Sequence, residues 1–137
     1  MRNKIAYFVS FITGAILYTA TEILWRGHTH WTMGIAGGVC LTAIYALRVA
    51  CPDTSLIILC ITGAFVILTV EFATGFIVNM ILDWNVWDYS DRVFNIYGQI
   101  CPLYAFLWVL ICIPGNLISS GIQKLCVYIQ HKRRTNE

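Results

Sequence analysis

At 137 residues the chain is one domain by length. With 58% hydrophobic residues, 12% charged residues and a mean hydropathy of +0.71, it is not an ordinary soluble domain, in which about a quarter of residues are charged. The net charge of +2 is small, and no nucleic-acid partner is implied.

Four apolar runs are long enough, or nearly so, to cross a hydrocarbon core that takes about 20 helical residues. The predicted fold is an all-α membrane protein of four transmembrane helices arranged as two hairpins. The transmembrane domain covers residues 1–114, followed by an amphipathic interfacial helix and basic tail over 115–137. The first helix is expected over residues 5–25. It has a basic start and an apolar run, as a signal peptide would, but no convincing cleavage site follows, so it is read as a retained span. The turn Arg26-Gly27-His28-Thr29-His30-Trp31 leads to a second helix over 32–50, whose Gly34, Ala36, Gly37 and Gly38 permit close helix approach.

Cys51-Pro52-Asp53-Thr54 stops that helix, with Asp53 or Thr54 available to cap the next. The third helix is expected over 55–82, longer than a perpendicular span requires. A loop rich in Trp and Asp follows. The fourth helix is expected over 93–113, kinked at Pro102 and ended by Pro114-Gly115. Beyond it, Leu117, Ile118, Ile122, Leu125, Cys126 and Ile129 recur at helical spacing, as in a helix lying on the inner surface against anionic lipid.

Charge placement orients the chain. Arg2, Lys4, Arg48, Lys124, Lys132, Arg133 and Arg134 fall on one side of the four spans, and only Arg26 and Arg92 on the other. The positive-inside bias therefore puts both termini in the cytoplasm, and Trp25, Trp31, Trp84 and Trp87 sit near the outer ends as an interfacial belt. The six cysteines form no CxxC pair and read as small, reduced packing residues.

The two halves resemble each other. Ile12-Thr13-Gly14-Ala15 recurs as Ile61-Thr62-Gly63-Ala64, and at the same offset Glu22 falls on Glu71. Past the loops, Ile35, Gly37, Cys40 and Cys51 fall on Ile96, Gly98, Cys101 and Cys112 at a longer offset. Two hairpin repeats, residues 5–52 and 54–114, would be related by a pseudo-twofold axis along the membrane normal, with both glutamates lining it.

An ionisable group inside a span is costly and is treated as functional by default. Glu22 has Arg26 one turn later, so a local ion pair explains it equally well. Glu71 has Gly75 in that place, and its stripe continues to Asn79. A carboxylate there suits binding a cation or taking up a proton. Asn95, Gly98 and Gln99 carry the polarity onward, so Glu71, Glu22, Asn79, Asn95 and Gln99 form the expected substrate or ion path. Arg26, His28, His30, Trp87, Asp88, Tyr89, Ser90, Asp91 and Arg92 form its outer loop and mouth. His28 and His30 alone are a weak metal signal, so neither a metal nor a cofactor is assigned. No nucleotide-binding, nucleophile-elbow or zinc-protease motif occurs, and no enzymatic activity is read.

Glu71, Thr74 and Gly75, then Trp87-Asp88-Tyr89-Ser90, then Asn95, Gly98 and Trp108, resemble the type IV ABC-transporter permeases, as do Glu22, Trp25-Arg26-Gly27, His30, Met33 and Gly37-Gly38 earlier. The similarity covers about residues 10–112. It implies a small multi-pass bacterial inner-membrane protein with a transport role, and an ABC assignment requires a separate ATPase subunit, since the chain has no ATPase domain. Four short helices enclose little, so a homo-oligomer in the lipid bilayer is expected. Two other readings stay open. One is a proton-coupled exporter or ion channel acting as a homo-oligomer without ATP. The other is a structural, holin-like or regulatory membrane subunit.

Overall fold

The computed structural model describes residues 4–135. Arg2, counted above among the inner positives, lies outside them. Helix α1 spans Lys4–Arg26 and ends at Gly27, whose φ of +76° puts it in the left-handed region while its N–H bonds back to the Ile23 carbonyl at 2.8 Å. Helix α2 spans Trp31–Ala50, with His30 as its N-cap, its ring accepting from the Thr32 N–H. Helix α3 spans Leu56–Gly75 and is capped by Ser55, rather than by the expected Asp53 or Thr54 just before it. It continues as a π-helical turn, Phe76–Ile81. Helix α4 spans Pro102–Thr135.

The last third of the chain differs from expectation. Residues 82–101 form an irregular loop, so the fourth helix starts at Pro102 rather than near Val93. Proline fits a first helical position, where its missing N–H would be unpaired anyway and its fixed φ suits the helix. Pro102 therefore starts the helix instead of kinking it. Pro114-Gly115 does not end it either. The helix runs through Pro114, which forfeits one backbone bond, and continues as one 34-residue element in place of a separate surface helix.

Helix α1 packs along α2 and α3 along α4; α2 also touches α3 and α4, and α1 touches α4. Small residues set the close approach. A Cβ on Gly14 would strike the Gly37 carbonyl and sit 2.7 Å from Leu41 Cβ, so α1 and α2 nearly touch backbone to backbone. Large apolar side chains point outward, with Phe8 67% and Phe65 72% exposed. Burying small residues and exposing large apolar ones is how a helix bundle sits in lipid, and all four helices are long and apolar enough to cross a membrane.

Buried apolar residues fall in three layers. Next to the 82–101 loop are Met33, Val78 and Trp87, with Tyr18, Val86 and Tyr89 packed on them. The middle layer is Cys40, Ile44, Cys60, Ala64, Ile67 and Cys112. Nearest the chain ends are Ala6, Tyr45, Ile122 and Cys126. The proposed repeat does not extend to local structure: Ile35, Gly37 and Cys40 are helical, whereas Ile96, Gly98 and Cys101 lie in the loop.

Candidate functional site

Glu71 projects from the last full turn of α3 before Gly75 and is only 4% exposed. Both of its oxygens are held. Trp108 Nε1, on α4, donates to Oε2 at 2.8 Å, and the Tyr89 hydroxyl, from the loop, donates to Oε1 at 3.3 Å. Each donor belongs to a stacked aromatic pair: Trp108 with Tyr18 at 6.0 Å between ring centroids, Tyr89 with Tyr104 at 4.5 Å. The donors meet the carboxylate through an indole N–H and a phenol O–H, both neutral, an arrangement that suits an anion.

The loop reaches Glu71 because the end of α3 is built to receive it. Gly75 leaves room for Trp87 and Gln99: a Cβ there would lie 2.8 Å from Trp87 Cζ2 and collide with the Gln99 amide oxygen. One turn on, Asn79 works at both ends of its amide, accepting from the Val86 N–H at 2.7 Å and donating to Gln99 Oε1 at 2.8 Å. Trp87 is buried and donates its indole N–H to the Gln99 carbonyl at 3.1 Å. Tyr89, two residues along, is thereby aimed at Glu71.

The rest of the loop is braced internally. Asn95 donates to the Arg92 and Ser90 carbonyls and accepts from the Gly98 N–H at 2.9 Å. The Asp88 carboxylate accepts from the Ser90 N–H at 2.8 Å and from its hydroxyl, which holds Asp88 below the usual carboxylate range. Burial pushes the Tyr89 phenol up, and the neighbouring Glu71 charge adds to this, so Tyr89 stays a neutral donor. Asp83, Asn85, Phe94 and Tyr97 all have positive φ, as do few residues other than glycine, and the turns of this loop rest on them.

Glu22 is paired as the local reading expects, with Arg26 Nη2 2.9 Å from Oε1, and Thr29 donates to Oε2 at 2.8 Å. Arg26 Nη1 also reaches the Val86 carbonyl at 3.4 Å, tying α1 to the loop. Glu22 and Glu71 share no hydrogen-bond partner among the described residues. Of the expected path, Asn79 and Gln99 meet each other, and Glu71 meets Tyr89 from the expected mouth. Asn95 instead serves the loop backbone. His28 is exposed against the Arg26 carbonyl, His30 caps α2 and packs on Trp31 and Trp84, and Asp91 with Arg92 forms an exposed pair at 3.6 Å. Among the described residues no group of three His, Cys, Asp or Glu side chains is placed to hold a metal.

Sequence reasoning left Trp108, Tyr18 and Tyr104 out of the site. Trp108 carried a signal: of the five tryptophans it alone falls inside a predicted span and away from a predicted rim.

No curated protein and no solved structure matches the chain. A family model described as "Putative ABC-transporter type IV" matches residues 33–135. The match begins after α1 and runs to the end of α4, later at both ends than the expected 10–112, and it contains Glu71, the whole loop and Trp108. The chain belongs to this ABC-transporter type IV family.

Proposed function

We propose that the protein is the membrane-embedded component of a transport system, and that Glu71 is the acid at which a cation or proton engages. Its family and its four apolar helices fit a membrane transport component. One observation carries the finer reading: a carboxylate 4% exposed, inside a span, is held by two neutral donors, one of them on a loop that covers it. Buried carboxylates kept for packing alone are rare in membranes because they are costly. The loop governs access to Glu71 from the outer side, with both termini cytoplasmic. The middle layer of Cys40, Ala64, Ile67 and Cys112 is apolar and separates Glu71 from the polar residues Asn116 and Ser119 further down α4. A passage would therefore form with a second copy or another membrane-embedded partner, and an ATP-driven system would add a separate ATPase subunit.

A second reading has its own support. Because both Glu71 oxygens already have partners, the residue also suits a fastening that pins the loop to α3 and α4, as in a structural or regulatory subunit. Purification of wild type and Glu71→Gln in mild detergent, with mass determination and identification of bound proteins, separates the readings. Proton flux into dye-loaded liposomes is then measured. A co-purifying ATPase supports the ABC assignment. A homo-oligomer that carries protons without nucleotide supports a self-sufficient exporter or channel. Unchanged assembly with lost flux in the variant makes Glu71 the working acid, and a variant that falls apart leaves it a fastening.

A further inference from the structure

The half of the bundle nearest the chain ends contains three buried polar atoms with no hydrogen-bond partner among the described residues: Ser10 Oγ on α1, and Asn116 Oδ1 and Ser119 Oγ on α4. Ser10 and Ser119 are 0% exposed and Asn116 is 2% exposed. In hydrocarbon a helical hydroxyl normally bonds the carbonyl one turn back. Thr21, Thr42, Thr69, Ser120 and Thr135 all do so here. Ser10 and Ser119 do not. Asn116 donates its amide N–H to the Cys112 carbonyl at 2.9 Å, which leaves its oxygen free.

Shared neighbours place Ser10 and Ser119 together. Gly14 and Gly115 both face Leu41 of α2, and Gly115 also faces Ile44. Ser10 lies one turn from Gly14 and Ser119 one turn from Gly115, both in the direction of the chain ends. That sets both hydroxyls at the level of Tyr45, where Ala6 and Val9 of α1 pack with Ile118 and Ile122 of α4. Asn116 meets α3 instead, its amide nitrogen lying 3.9 Å from Cys60 Sγ. The two hydroxyl oxygens are neutral, and no carboxylate is among them, which argues against a divalent cation. A buried water makes about two to four hydrogen bonds to otherwise unpaired polar groups. We propose that Ser10 and Ser119 share one bound water that joins α1 to α4.

The test is a double-substitution cycle on the full chain in mild detergent, read by thermal unfolding. Ser10→Ala and Ser119→Ala should each lower Tm by a few degrees, and the double variant should lose little more than either alone, because the first change already releases the shared ligand. Ser10→Cys and Ser119→Cys, closer in size, replace them if the alanine variants fail to fold. Additive losses would overturn the proposal. So would a rise in Tm, which is what removing a truly unpaired hydroxyl gives. A wild-type Tm that rises in sodium or potassium chloride over choline chloride would overturn water as the occupant in favour of a monovalent cation.

Discussion

Trp108 on α4 donates its indole N–H to Glu71 on α3 across 2.8 Å, so the two helices are joined at the acid itself. Phenylalanine at 108 keeps a ring to stack on Tyr18 but removes the donor. Losing the donor leaves a buried carboxyl oxygen unpaired, which costs about 1–3 kcal/mol, so Trp108→Phe should destabilise by about that amount. Combined with Glu71→Ala, which removes the acceptor, in a thermal-unfolding cycle, the pair should show coupling of about 0.5 kcal/mol or more. Strict additivity would mean that the two residues do not interact.

Gly75 is the seat of the loop. Gly75→Ala puts a methyl group against Trp87 and the Gln99 amide. Overpacking costs about 1–3 kcal/mol, and the loop is the part free to give. Residues 82–101 should then be cut faster by protease while the helices persist by circular dichroism. An unchanged cleavage rate would show that the loop does not depend on this contact.

Asp88 gives the loop a pH dependence. Its carboxylate is held below its ordinary value by the Ser90 hydroxyl and N–H, so the ionised form is favoured in the folded loop. A depressed folded pKa contributes stability that is fully present above the ordinary Asp value, about 3.9, and lost as pH falls through the folded value. Loop proteolysis should be flat from pH 7 to about 5 and rise only below the ordinary value. Asp88→Asn should remove that acid limb.

Topology is testable with a native thiol. Cys51, at the α2–α3 turn, is exposed, whereas Cys40, Cys60, Cys101, Cys112 and Cys126 are buried. With the termini in the cytoplasm, a membrane-impermeant maleimide should label Cys51 in inside-out vesicles and not in intact cells. The reverse pattern would invert the orientation.

The helices that were legible in the sequence are those whose signals are local. α1, α2 and most of α3 follow from apolar run length, and the Glu22–Arg26 pair follows from one-turn spacing. The segment after Val93 misled because its composition is apolar: Val93, Phe94 and Tyr97 would suit a span. In the fold they are 75%, 84% and 74% exposed, and the left-handed backbone at Phe94 and Tyr97 is incompatible with an α-helix. The acid at Glu71 could be picked out, but its partners could not. Tyr89 and Trp108 lie 18 and 37 residues away, and a π-helical turn and an irregular loop have to form before either can reach it.

The unbroken α4 has a mechanical consequence. At 1.5 Å per residue its 34 residues extend about 51 Å, well beyond the roughly 30 Å of hydrocarbon that an upright span crosses. Trp108 rides on the first third of this rod, and Lys132, Arg133 and Arg134 sit at its far tip. A rigid tilt of α4 at its contact with Glu71 would swing that tip through a larger arc than Trp108, whereas bending at Pro114 would uncouple the two ends. On the proposed reading of Glu71, a change at the covered acid would then be read at the other end of α4 as displacement of a cluster of positive charge.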